Sequence, residues 1–223
     1  MVRFRLFGIP FGIGPYFWVG SAMFGANLAQ GENAVTALLV WIACVFVSIT
    51  VHELGHALTA RHFGAQPVVE LHALGGLTRM FGRDLTRPEG FWVTLAGPAA
   101  GFGLYLLTLG IRNWPGLPGL LNSTGGTVEF VIANALQFLW QINLVWTLFN
   151  LLPILPLDGG RLLSALLGPR HFNAAQGVGV FFAGSLAVLA AMYREVYMAI
   201  FLGYLAYVNF RGTPRSVPGG VSR

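Results

Sequence analysis

His52, Glu53 and His56 form the run His-Glu-Leu-Gly-His, directly after 18 uncharged residues from Ala34 to Val51. In a helix each residue turns about 100°, so a step of four returns within about 40° of the same face, roughly 6 Å along the axis. Two imidazoles so spaced can hold one Zn²⁺, and the glutamate between them can act as general base to water. In a soluble sequence this five-residue pattern is a modest signal. Behind a long apolar run it gains weight, because ionisable groups at membrane depth are costly.

A zinc site needs a third protein ligand, and two residues compete. His62 completes the spacing HExxHxxxxxH of soluble zinc proteases, but Thr59 stands where that pattern has a turning glycine. If the helix continues, His62 lies about 9 Å beyond His56 and roughly 120° around the axis, out of reach of the same metal. Asp158 is the other candidate, the only acidic residue between Glu129 and Glu195. It sits in Asn150-Leu-Leu-Pro-Ile-Leu-Pro-Leu-Asp-Gly-Gly160, where two prolines unwind a helix end and two glycines allow a tight turn.

The elements that carry these residues are apolar. Of the 223 residues 55% are hydrophobic and only 9% charged, against roughly 25% charged in soluble domains. Charge-free stretches run from Ala34 to Val51, Phe91 to Ile111, Phe130 to Leu157 and Phe172 to Tyr193. Each approaches the roughly 20 residues that cross a bilayer core as a helix. Leu6 to Gly31 and Val196 to Phe210 are weaker candidates, giving six spans in an all-α polytopic membrane protein. With both termini cytoplasmic, all basic residues except Arg112 and Arg194 fall inside, as the positive-inside rule expects. The net charge of +5 forms no basic patch interleaved with aromatics, so nucleic acid is not an expected partner. Cys44 lies mid-span and can form no internal disulfide, since it is the sole cysteine.

In this topology the second and fourth spans both descend toward the cytoplasm. His52 and His56 then lie near the lower end of one, and Asp158 near the lower end of the other. Asp158 is therefore the expected third ligand, closing the site from two helices.

A single membrane domain is expected over residues 1–211, with a disordered tail over 212–223. Ahead of the first span, Gly8, Pro10, Gly12, Gly14 and Pro15 imply an extended stretch. Between the second and third spans, Pro67 to Leu74 is rich in strand formers, Gly75-Gly76 offers a turn, and Leu77 to Met80 reads as a return strand. The expectation is a small membrane-associated hairpin on the cytoplasmic side.

The paired motifs resemble the site-2 protease family of intramembrane zinc metalloproteases, in a compact form without a PDZ or CBS domain. His52 to His56 matches its metal motif, Asn150 to Gly160 its second signature, and Gly97-Pro98 its Gly-Pro element. Gly101 departs from relatives that carry asparagine there. The resemblance implies one zinc per chain and cleavage of a peptide bond in or near the transmembrane segment of a single-span membrane protein. A prokaryotic plasma membrane is the implied location. Glu53 would be the general base, and Asn150 either a donor to the tetrahedral oxyanion or a partner in an interhelical hydrogen bond in a packed span. Asn143 shares the face of Asn150, whereas Asn134, Gln137 and Gln141 read as interhelical contacts. Gly97, Gly101 and Gly103 read as close-packing positions and Arg161 as a cytoplasmic anchor. The hairpin is either surface structure or an edge on which an unwound substrate can add a strand. The rival readings are a zinc-binding scaffold or transporter without peptidase activity and a zinc hydrolase acting on another amide or ester.

Overall fold

The computed structural model describes residues 1–28, 31–73 and 75–212. The chain opens with strands β1 (Val2–Leu6) and β2 (Ile9–Ile13), followed by the short helix α1 (Pro15–Phe24) and the long α2 (Ala34–His62). Strands β3 (Gln66–His72) and β4 (Gly75–Phe81) come next, then α3 (Arg87–Arg112), α4 (Leu117–Thr124) and α5 (Gly126–Asn150). Helices α6 (Asp158–Leu167), α7 (Phe172–Met192) and α8 (Val196–Arg211) complete the fold. Among the described residues, four helices are long and apolar enough to cross a membrane: α2, α3, α5, and α7 with the turn ahead of it. Helix α8 is apolar but shorter.

The segment expected to be the first span divides instead between a strand pair and a ten-residue helix. A helix of that length rises about 15 Å, half the thickness of a bilayer core. Where a two-stranded hairpin was expected, β3 and β4 form one half of a four-stranded sheet of order β1-β2-β3-β4, with β4 at its edge. Strands β2 and β3 pair in parallel, with Phe11 opposite Val69 and Ile13 opposite Leu71. Gly75 and Gly76 lie within β4, opposite His72 and Leu71, not in the turn. The disordered tail was expected over 212–223, of which 213–223 lie outside the described residues.

Alternation fixes which face of the sheet is covered, because successive strand side chains point to opposite sides. Ile9, Phe11 and Ile13 from β2 and Val69 and Leu71 from β3 are buried together against Val45, Ile49 and Ala57 of α2. The sheet therefore lies along the half of α2 that carries His52 to His56. Helix α3 begins where Thr86 and Glu89 form a reciprocal capping box, the Thr86 backbone amide donating to Glu89 Oε2 at 2.7 Å. Helix α5 is tied to α2 by Asn143, whose Nδ2 donates to Ser48 Oγ at 2.9 Å, one turn before His52.

Candidate metal centre

Helix α2 runs unbroken through His62, so the His52–His56 spacing puts both imidazoles on one face. Asp158 is the first residue of α6, delivered by the unwound 151–157 stretch after α5. All three side chains are buried. His52 Nε2 lies 3.1 Å from Asp158 Oδ2, His56 Nε2 lies 3.2 Å from the same oxygen, and the two Nε2 atoms are 3.2 Å apart. Zinc with bonds of about 2.0–2.1 Å in a tetrahedron separates its ligand atoms by about 3.3 Å. The observed triangle fits that geometry.

The hydrogen bond on the far side of the His56 ring is consistent with it. His56 Nδ1 lies 2.8 Å from the Val93 carbonyl oxygen of α3. A carbonyl only accepts, so Nδ1 carries the hydrogen, and Nε2 is the nitrogen that faces Asp158 and His52. Such a hydrogen bond on the remote nitrogen fixes the ring of a metal-ligating histidine. The donor set of two imidazoles and one carboxylate suits zinc.

Glu53 is also buried, its ligand atom within 4.8 Å of those of His52 and His56. It faces β4, where Thr78 Oγ1 donates to Glu53 Oε2 at 2.7 Å. Val69 pairs with Thr78 and Leu71 with Gly76, so register puts Thr78 and Gly76 on the face that meets α2. A Cβ at Gly76 would stand 2.3 Å from Glu53 Cγ. The glycine that looked like a turn residue makes room for the glutamate.

Gly97 has a comparable role, since a Cβ there would lie 2.2 Å from His56 Nε2. It clears space for the His56 ring as well as packing helices. Gly101 borders a small polar space, its would-be Cβ 2.9 Å from Thr147 Oγ1 and 3.8 Å from both Asn143 Oδ1 and His52 Nδ1. Gly103 has nothing within 4 Å of its would-be Cβ and packs no helix closely.

The other sequence candidates divide. Asn150 is buried at the end of α5, and its Nδ2 donates to the Trp146 carbonyl of its own helix at 3.0 Å. One Nδ2 hydrogen remains for another acceptor. His62 is exposed at the end of α2 against the Phe63 ring and is not part of the triangle. Gln137 does join helices, accepting from Arg112 of α3, whereas Asn134 bonds back to the Phe130 carbonyl of its own helix. Arg161 is exposed. Sequence reasoning missed Thr78, whose type carries no metal or acid–base signal, and Val93, which acts through its backbone.

Residues 116–192 match the sequence profile of peptidase family M50, a stretch that includes Asn150 and Asp158 and lies after His52 to His56. YwhC of Bacillus subtilis, a zinc metalloprotease by name, is 31% identical over 159 residues, covering 57% of this chain and 69% of YwhC. Rip3 of Mycobacterium tuberculosis, likewise a zinc metalloprotease by name, is 34% identical over 187 residues, 77% of this chain and 44% of Rip3. MJ0392 of Methanocaldococcus jannaschii, also so named, is 26% identical over 202 residues, 89% of this chain and 55% of that protein. The chain spans about half the length of Rip3 and MJ0392.

Proposed function

The chain belongs to the site-2 protease family of zinc metalloproteases, peptidase family M50, and from that premise we propose that it cleaves a peptide bond in or near the transmembrane segment of a single-span membrane protein. The observation that carries this reading is the meeting of His52, His56 and Asp158 at 3.1–3.2 Å, with Glu53 beside them, on elements of an apolar helical protein.

The sheet supports six membrane crossings. Strands β2 and β3 are hydrogen-bonded neighbours, so the chain between them leaves one side of the bilayer and returns to it. Helix α2 makes one of these two passes, and α1 lies within the other. Helices α3, α5, α7 and α8 supply the other four. The arginine distribution favours a cytoplasmic location for the sheet's side, and the family resemblance favours a prokaryotic plasma membrane.

Bound by His52 Nε2, His56 Nε2 and Asp158 Oδ2, zinc would supply a Lewis acid that lowers the pKa of water toward neutrality and polarises the scissile carbonyl. Glu53 takes the proton of the attacking water and returns it to the leaving amide nitrogen. Thr78 holds one carboxylate oxygen of Glu53 and so orients the other. Asn150 donates its remaining Nδ2 hydrogen to the oxygen of the tetrahedral centre. A helical substrate hides its carbonyls in hydrogen bonds and must unwind first. Strand β4 is an edge strand in contact with Glu53, and an unwound segment can pair along it, which brings its backbone to the base.

Family membership and a carboxylate held by Thr78 beside the triangle favour the enzyme over a scaffold or transporter. Comparing new protein N-termini in cells that express the wild type or Glu53→Gln tests the substrate class. Fragments ending in or beside single-span segments, present only with the wild type, are the expected result. Hydrolysis of small amides by the purified protein, with no such fragments, would instead place it among other zinc hydrolases.

A further inference from the structure

The carboxylate of Asp158 is delivered by backbone that is neither helix nor strand. Residues 151–157 join α5 to α6, and Pro153 and Pro156 can donate no hydrogen bonds within them. Irregular backbone inside a membrane protein persists only where protein or a polar cavity satisfies its polar groups. Ile154 and Leu155 are buried, so water does not do this for them.

The partner for Leu155 comes from α8. Asn209, 1% exposed, accepts from the Leu155 backbone amide at 3.2 Å through Oδ1. Its Nδ2 donates to the Leu155 carbonyl at 2.6 Å and to the Leu205 carbonyl of its own helix at 2.8 Å. One carboxamide thus satisfies both backbone groups of a residue three positions before Asp158. Helix α7 accommodates the arrangement with Gly179, where a Cβ would stand 2.3 Å from Asn209 Oδ1.

The loop is in turn locked to the start of α6. A Cβ at Gly159 would lie 2.1 Å from the Leu151 carbonyl oxygen, so the two backbones touch. Leu157 donates to the Ile154 carbonyl at 2.8 Å, and Arg161 donates to the Leu157 carbonyl at 3.1 Å. A displacement of Leu155 is carried through these contacts to the residue between Leu157 and Gly159, which is Asp158.

We propose that Asn209 is a positioning residue for the metal centre: by clamping the Leu155 backbone to α8 it holds the Asp158 carboxylate where it meets His52 and His56. The proposal rests on Asp158 being a metal ligand. The site is then complete only while α8 is docked, although α8 itself supplies no ligand.

The test is cobalt(II) binding to the detergent-purified protein, followed by its visible absorption and by competition with a chelator. The proteins compared are the wild type, Asn209→Leu, Leu202→Ala and Asp158→Ala. Leu202 is a buried α8 residue with no bond to the loop, so Leu202→Ala reports loosened packing alone. Asn209→Leu is expected to weaken cobalt binding about tenfold or more, with altered absorption bands, while Leu202→Ala keeps the wild-type affinity and spectrum. Wild-type affinity and spectrum in Asn209→Leu, or an equal loss in Leu202→Ala, would overturn the proposal. Wild-type affinity in Asp158→Ala would instead remove the ligand reading beneath it. If Asn209→Leu does not fold, Asn209→Ser, whose hydroxyl is too short to bridge both Leu155 groups, is read by the same criteria.

Discussion

Glu53→Gln should leave zinc in place and lower peptide hydrolysis by on the order of 10³–10⁴-fold, toward the upper end for loss of a general base. The substitution is nearly isosteric. Thr78, which donates to Glu53 Oε2 at 2.7 Å, can donate equally to the amide oxygen of glutamine. No void opens against Gly76, and the three atoms of the triangle are untouched. The amide cannot accept a proton near neutral pH, so the loss isolates proton transfer from binding. Zinc content by atomic absorption, read beside cleavage of the substrates whose fragments the cellular comparison finds, checks both halves. Cleavage near the wild-type rate would remove Glu53 from the chemistry, and loss of zinc would recast it as a ligand.

Gly97→Ala is the second large effect expected, and it acts on the metal. The new Cβ would meet His56 Nε2 at 2.2 Å and Cε1 at 2.3 Å, closer than nonbonded atoms approach. His56 cannot simply swing aside, because its Nδ1 is held by the Val93 carbonyl one turn earlier on the same α3. Either that hydrogen bond breaks or α3 moves away from α2, and both displace a ligand atom. Zinc affinity measured by chelator competition should fall on the order of 100-fold, the upper range for losing the support of a ligand. Gly103→Ala, which adds a methyl with nothing within 4 Å, should bind as the wild type does. Equal affinity in both variants would mean that the His56 ring is not held as described.

The triangle was legible in the sequence because its signals are local. Two histidines at helical spacing behind an apolar run, and a lone acid between prolines and glycines, each declare a cost that a structure must justify. The sheet was less legible because its pairing is not local. Phe11 meets Val69 across more than fifty residues, and the Gly- and Pro-rich start of the chain gives no strand signal of its own. Gly75-Gly76 looks like a turn by composition, yet Gly76 is a strand residue set against Glu53, a contact made only when α2 packs on the sheet. Gly97 reads as a helix-packing residue for the same reason, since the His56 ring it accommodates lies on another helix. Asn209 resembles any polar residue that joins apolar helices. Its partner is irregular backbone 54 positions earlier. Where residue type alone announces chemistry, the sequence suffices. Where a small or neutral residue serves chemistry held elsewhere, only the packed structure shows it.

Zinc per molecule in the detergent-purified protein tests the central claim most directly, because it needs no substrate. Wild type, Asp158→Ala and His62→Ala should be loaded under metal-replete conditions and freed of loosely held ions before measurement. The account predicts about one zinc in the wild type, lost in Asp158→Ala and kept in His62→Ala. No zinc in the wild type, or zinc that depends on His62 and not on Asp158, would contradict it.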